Sequence, residues 1–197
     1  PVPQFTATRG CEGTLISFAE SSTLTPLLGE SIATLEWDFN FNGSVFNKDP
    51  LFDNQKNFTR AFTAPGTFQV ALRATADISG CTDIKVVPVT VDPLPIAQFT
   101  PDVTSGCSEL TVTFTNNSVA GQPDVIDRYI WEIDERQGLG FEPVLTQIVS
   151  DPAFTNQFIN TFENVTTSNK LFDVRMRAIT VVGCETISSP VTITVFP

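Results

Sequence analysis

Histidine is absent from the 197-residue sequence, and methionine and tyrosine occur once each. Because histidine is the commonest general base and a common metal ligand, its absence removes the most frequent catalytic arrangements. The sequence also lacks the Gly-x-Ser-x-Gly motif that exposes a serine nucleophile. Neighbouring acidic residues, such as Asp134 with Glu135, are typical of solvated turns. We therefore expect neither enzymatic activity nor a bound cofactor.

Basic residues are scarce, since 11 lysines and arginines stand against 22 acidic residues, for a net charge of −11. A chain without a basic patch cannot neutralise phosphates, so we expect no binding to nucleic acid or to an anionic membrane surface. No apolar run approaches the ~20 residues of a membrane span. Residues 1–5 resemble the entry to a strand, and we expect an export signal to lie outside the sequence or to have been removed.

Helical periodicity is nearly absent, whereas phenylalanine occurs 17 times among many valines and threonines. Alternation is clear in residues 68–74, where phenylalanine, valine, leucine and alanine occupy every second position. Many short strands separated by turns, without intervening helices, indicate an all-β sandwich. In the first half of the chain we predict strands at residues 14–20, 33–40, 57–63, 67–77 and 82–91.

An internal repeat divides the sequence into two similar halves. The matched pairs keep the same order throughout: residues 4–6 with 98–100, Cys11 with Cys107, Trp37 with Trp131, 68–74 with 172–178, and Cys81 with Cys184. We predict one sandwich domain at 1–93 and a second at 94–197, the second with an insertion near 135–157. Pro93 and Pro95 stiffen the link between them, which predicts an end-to-end arrangement.

Two motifs of the first half resemble the polycystic-kidney-disease (PKD) domain, an immunoglobulin-like sandwich. Residues 37–43 read Trp-Asp-Phe-Asn-Phe-Asn-Gly and resemble the family's Trp-Asp-Phe-Gly-Asp-Gly strand. Residues 66–72 read Gly-Thr-Phe-Gln-Val-Ala-Leu and resemble its Gly-Thr-Tyr-x-Val-x-Leu strand. The second half keeps the tryptophan and the alternation but not the Gly-Thr start. The resemblance implies two tandem immunoglobulin-like domains.

The Gly-Cys pairs of each half resemble a PKD subtype that occurs in tandem arrays. Such arrays are found in large surface adhesins of gliding bacteria that use type IX secretion. The resemblance implies an extracellular, cell-surface location and a non-catalytic structural or adhesive role, with neighbouring domains of the same chain as partners. The alternative is an accessory carbohydrate-binding module of a secreted polysaccharide-degrading enzyme, with surface glycans as partners. Fold alone does not decide between them.

A calcium site is one hypothesis for the first half. Asp38, Asn40 and Asn42 alternate before Gly43, and Asp49 follows eleven residues after Asp38. Oxygen donors at alternate positions with a glycine at the turn suit a hard cation. The alternative interpretation is a strand end followed by an Asn-Gly turn, and it has the stronger basis, because the second half has no counterpart.

Trp37 and Trp131 have two possible roles. An exposed indole could stack on a sugar ring, but each tryptophan lies at the centre of a predicted strand, as the buried tryptophan of immunoglobulin sandwiches does. We therefore predict that both lie in a core.

Four cysteines in an exported protein indicate disulfides, for which three pairings exist. Standard immunoglobulin-like topology places Cys11 and Cys81 at opposite poles of one domain, too far apart for a bond. We therefore predict an inter-domain Cys11–Cys184 bridge, with Cys81 and Cys107 directed to neighbouring domains. The alternatives are the intradomain pairs Cys11–Cys81 and Cys107–Cys184, or free thiols.

Overall fold

The computed structural model describes residues 1–25, 29–136 and 139–197. The chain divides into two compact units, Pro1–Pro93 (domain 1) and Leu94–Pro197 (domain 2). Within these ranges the regular elements are strands and one 3-10 turn at Pro50–Phe52. Among the described residues, no helix is long and apolar enough to cross a membrane.

The described residues of domain 1 form seven strands in two sheets. Its strands are β1 (Phe5–Ala7), β2 (Gly10–Cys11), β3 (Leu15–Glu20), β4 (Ile32–Asp38), β5 (Asn57–Ala61), β6 (Gly66–Ala76) and β7 (Thr82–Asp92). One sheet has the order β1-β3-β5, and the other has the order β2-β7-β6-β4. All of these pairs are antiparallel except β2 with β7, which places Cys11 beside Asp92.

Domain 2 repeats this arrangement and adds strands. Its strands are β8 (Phe99–Pro101), β9 (Ser105–Cys107), β10 (Leu110–Asn116), β11 (Ile126–Asp134), β12 (Glu142–Ile148), β13 (Gln157–Phe162), β14 (Lys170–Thr180), β15 (Glu185–Ile187) and β16 (Val191–Phe196). One sheet has the order β8-β10-β13, and the other has β9-β16-β14-β11-β12, with β15 also pairing with β14. In both domains the strand order is that of an immunoglobulin-like sandwich, which confirms the predicted fold class.

The predicted insertion near 135–157 contributes an edge strand, β12, which pairs with β11. Two of its residues, Gln137 and Gly138, lie outside the described residues. The matching segment of domain 1 contains no strand and instead returns to the edge of β4, where the backbone N–H of Asn54 donates to the carbonyl of Leu35. The two domains therefore complete the same sheet in different ways.

Each core is centred on one fully buried tryptophan, Trp37 or Trp131. In domain 1 the ring centroids of Phe5 and Phe18 lie 4.9 and 5.9 Å from that of Trp37. Their counterparts in domain 2, Phe99 and Phe114, lie 5.2 and 5.9 Å from Trp131. The same aromatic positions thus build both cores. Most of these contacts are edge-on or tilted, as the ring quadrupole favours.

Candidate functional site

A buried carboxylate follows each core tryptophan, and it is held differently in the two domains. Asp38 is 2% exposed, and its two oxygens accept the backbone N–H groups of Asn40 at 2.9 Å and Asn47 at 2.7 Å. Its counterpart in domain 2, Glu132, is 5% exposed and receives two arginines instead. Arg175 Nε lies 2.6 Å from Glu132 Oε2, and Arg177 Nη1 lies 3.6 Å from Oε1. The buried carboxylate is thus satisfied by backbone hydrogen bonds in domain 1 and by ion pairs in domain 2.

The four residues of the calcium hypothesis are not arranged around one point. Asp38, Asn40 and Asp49 line the same cleft, but the Asn42 side chain instead accepts the N–H groups of Ser44 and Val45, as in an Asx turn. Both oxygens of Asp38 are taken by backbone donors. The described residues also contain no group of three or more histidine, cysteine or acidic side chains positioned to hold a metal ion. The geometry gives the calcium hypothesis no support.

The cleft itself, cleft 1, has a volume of about 530 Å³ and lies where β4 and β5 end and β6 begins. Arg60 enters it from β5, with its guanidinium carbon 3.9 Å from the centroid of the Phe39 ring. Arg60 Nη1 also lies 2.5 Å from Asp49 Oδ2. The positive charge beside these acidic groups is therefore supplied by the protein, through a cation–π contact and an ion pair.

Domain 2 has a cleft at the equivalent place. Cleft 2 measures about 620 Å³, and Phe162 and Phe172 in its wall match Phe62 and Phe68 of cleft 1. Its cation is Lys170, whose Nζ lies 3.1 Å from Glu135 Oε2 and 4.6 Å from the centroid of the Phe172 ring. Both clefts thus carry an internal counter-ion above an aromatic ring.

Neither tryptophan can stack on a sugar, because both are 0% exposed. The indole N–H of Trp37 donates to the carbonyl of Gln55 at 3.0 Å, and that of Trp131 donates to the side chain of Gln147 at 2.8 Å. Among the described residues, Phe196 is the one aromatic that counts as an exposed large apolar side chain. Both tryptophans therefore belong to the cores.

The glycines of the four Gly-Cys pairs have two different structural roles. A Cβ atom at Gly10 would lie 2.7 Å from Ile16 Cγ1, and one at Gly106 would lie 2.6 Å from Leu110 Cδ1, so these glycines allow close packing. Gly80 and Gly183 instead adopt φ angles of 65° and 91°, in the left-handed region that favours glycine. The first pair thus shapes the start of a strand, and the second shapes a turn.

In each domain the two cysteines lie at opposite poles. Cys11 pairs with Asp92 at the end of β7, whereas Cys81 lies just before β7 begins. The 11 residues of β7 separate these ends by roughly 33 Å, against the ~7 Å limit for bridged Cα atoms. In domain 2, Cys107 pairs with Phe196 at the end of β16, and Cys184 lies at the far end of β14.

The cysteines also differ in state. Cys11 and Cys184 are disulfide-bonded, whereas Cys81 and Cys107 carry free, exposed thiols. The alternative of intradomain pairs is therefore wrong, because each such pair needs one of the free thiols and would have to span the length of a sheet.

Two charged groups with structural roles were not predicted from the sequence. Arg60 occupies an inward position of β5, next but one to Phe58, and a cation in an apolar-facing position is the signal that could have revealed it. Arg9 holds the carboxylate of Asp92 through two hydrogen bonds of 2.5 and 2.6 Å, and Asp92 is 2% exposed. This contact fastens β2, and with it Cys11, to the end of β7.

No protein-family model matches the sequence, and no curated protein matches it. Solved structures with a similar course of the chain include fibronectin(III)-like modules of Clostridium thermocellum CbhA, with 13% identity and a TM-score of 0.47 over 98% of this chain and 93% of that one. The FN1–FN3 domains of chicken CNTN1 show 11% identity and a TM-score of 0.45, covering 100% and 68% of the two chains. Titin domains show 16% identity and a TM-score of 0.42, covering 96% and 64%.

Proposed function

We propose that the chain is a non-catalytic structural or adhesive segment of a multidomain extracellular protein, in which a Cys11–Cys184 bridge ties two consecutive domains together. The observation that carries the proposal is the state of the cysteines. Each domain contributes one disulfide-bonded cysteine and one free thiol, and the bonded cysteine lies at the exit pole of domain 1 and at the entry pole of domain 2. Covalent links between modules suit a stalk or spacer, which requires no reactive centre.

Chain connectivity supports the pairing. Cys11 lies beside Asp92, at the pole where the chain leaves domain 1. Cys184 lies at the pole of domain 2 where the chain enters, since Ile96 makes its bridge to Val119 after the end of β10. The four residues from Asp92 to Ile96 span at most about 14 Å. The two bonded cysteines thus occupy the poles that the linker joins.

The surface charge supports an extracellular, solvated module. Nine of the 11 basic residues take part in ion pairs within the described part of the chain. The remaining surface charge is therefore almost entirely acidic, which keeps such a module soluble and repels anionic partners. Disulfides persist in oxidising compartments, which agrees with export.

The finer assignment is that both domains are of the PKD type and belong to a cell-surface adhesin exported by type IX secretion. Its support is the resemblance of residues 37–43 and 66–72 to the family's two strands, together with the paired Gly-Cys positions. The carbohydrate-binding alternative is not favoured by any contact among the described residues, because both tryptophan rings are buried.

Non-reducing peptide mapping tests the proposal. The protein is alkylated in denaturant before digestion, and we expect one disulfide-linked peptide that contains Cys11 and Cys184. Recovery of a Cys11–Cys81 or Cys107–Cys184 peptide would overturn the inter-domain bridge. A glycan array with the same protein tests the choice of function, since a structural module should bind nothing, and saturable binding to one glycan class would favour the carbohydrate-binding alternative.

A further inference from the structure

The two free thiols are repeats of the two bonded cysteines. Cys107 matches Cys11, since both follow a closely packed glycine and both pair in parallel with the last residues of their domain. Cys81 matches Cys184, since both follow a glycine with positive φ and both accept a backbone hydrogen bond across the last turn of the sheet. Each free thiol therefore occupies a position whose counterpart forms a disulfide.

The free thiols lie at the pole of each domain that the linker does not join. Cys107 is at the pole where the chain leaves domain 2, and Cys81 is at the pole where the chain enters domain 1. Both are exposed. The other two cysteines, Cys11 and Cys184, are already bonded, and Cys81 and Cys107 are not bonded to each other.

We infer that Cys81 and Cys107 are attachment points for disulfides to flanking copies of the same domain, one on each side of this chain. Cys107 bonds the cysteine at the Cys184-equivalent position of the following domain, and Cys81 bonds the cysteine at the Cys11-equivalent position of the preceding domain. This inference rests on the proposed Cys11–Cys184 bridge, whose geometry it repeats at each junction. The partner is thus a further copy of the repeat and not a different class of protein.

Each new bond releases two protons and two electrons. An oxidised dithiol oxidoreductase accepts the electrons: one thiolate attacks its disulfide to give a mixed disulfide, and the second thiolate displaces the enzyme as a dithiol. The exposure of both thiols allows this attack before the neighbouring domain closes over them.

A fusion of two complete chains supplies the missing neighbours. Val2 makes a bridge to Thr23 as Ile96 does to Val119, and Phe196 pairs with Cys107 as Asp92 pairs with Cys11. One leucine inserted between residue 197 of the first copy and residue 1 of the second therefore reproduces the spacing of the natural junction at residues 92–96. The fusion is refolded with glutathione disulfide as oxidant, and free thiols are counted by intact mass after alkylation in denaturant.

We expect two free thiols in the fusion, as in the single chain, because Cys107 of the first copy and Cys81 of the second are consumed. Four free thiols in the fusion would overturn the inference. Glutathione adducts are recognised by their mass and count as unbridged thiols. A Cys107→Ser substitution in the first copy should raise the count to three, whereas the same substitution in the second copy should lower it to one.

The single chain separates this inference from the proposed function. If the Cys11–Cys184 peptide is recovered from the single chain but the fusion keeps four thiols, the inter-domain bridge stands and the extension to flanking domains fails. If that peptide is missing from the single chain, the proposed function itself loses its support.

Discussion

Replacement of Asp38 by alanine should destabilise domain 1, because two backbone N–H groups would lose their acceptor. The carboxylate holds Asn40 and Asn47 at 2.9 and 2.7 Å and so fixes the start and the middle of the loop that follows β4. Hydrogen bonds to a charged group contribute ~1.5–3 kcal/mol each. The lower end applies here, because Asn40 and Asn47 are exposed and their N–H groups can turn to water. The expected loss is therefore about 3 kcal/mol in the free energy of unfolding.

Asp38→Asn is the matched control. Its amide oxygen can replace one of the two acceptor atoms, so the expected loss is about half as large, roughly 1.5 kcal/mol. Each domain contains one tryptophan, which allows the two unfolding transitions to be separated. On a Trp131→Phe background, the remaining fluorescence during urea unfolding reports domain 1 alone. The slope with urea concentration should stay unchanged, because the native fold is the same.

The same titration decides the calcium hypothesis. If Asp38 stabilises the loop and does not bind a cation, millimolar calcium should leave the urea-unfolding midpoint of the parent protein unchanged. Two results would refute the reasoning: a loss below ~0.5 kcal/mol for Asp38→Ala, within the range of ordinary surface substitutions, or a calcium-dependent rise in the midpoint that the substitution abolishes.

Three further predictions concern domain 2 and the whole chain. Arg175→Met should lower the free energy of unfolding by about 2 kcal/mol, which is less than the ~3–5 kcal/mol of a fully buried pair because Arg175 is 28% exposed. The double variant Glu132→Leu with Arg175→Met should recover most of this loss in urea unfolding. A double variant that is as unstable as Arg175→Met would contradict this. Arg136 donates to Asp173 and so lowers its pKa, which means that its contribution to stability is complete above the unfolded pKa of ~4 and is lost as pH falls through the folded value. Asp173→Asn should therefore flatten the acid side of a thermal-stability profile, and an unchanged acid side would contradict this. Finally, the end-to-end arrangement that the two prolines predict requires a radius of gyration in small-angle scattering well above the ~16 Å of a compact 197-residue domain.

The fold could be predicted from the sequence wherever the buried side chains follow the two-residue period of a strand. The alternation in β6 and β14 reflects side chains that point to one core, and the two tryptophans sit at the centres of their strands for the same reason. The poles of the cysteines in domain 1 also follow from topology, since Cys11 precedes β3, Cys81 precedes β7, and these two strands begin at opposite ends of the sandwich.

The parts that could not be predicted depend on contacts between distant residues. Asp38 and Glu132 follow equivalent tryptophans, yet one is held by a returning loop and the other by arginines on a neighbouring strand. The strand β12 was not foreseen because most of its side chains are exposed, so its sequence shows no alternation. Arg60 is positioned by the Phe39 ring and Asp49, which are 21 and 11 residues away in sequence.

The disulfide state of Cys11 and Cys184 has a consequence for stretching. If these two cysteines bond each other, the bridge encloses about 170 residues, and tension applied at the chain ends reaches only the residues outside this loop. Straightening those roughly 23 residues yields about 80 Å, whereas the open chain could lengthen to about 680 Å. Either domain could then unfold under load without adding its extended length to the end-to-end distance of the chain. Reduction of that one bond would change the distance that an attached load can travel by about 600 Å.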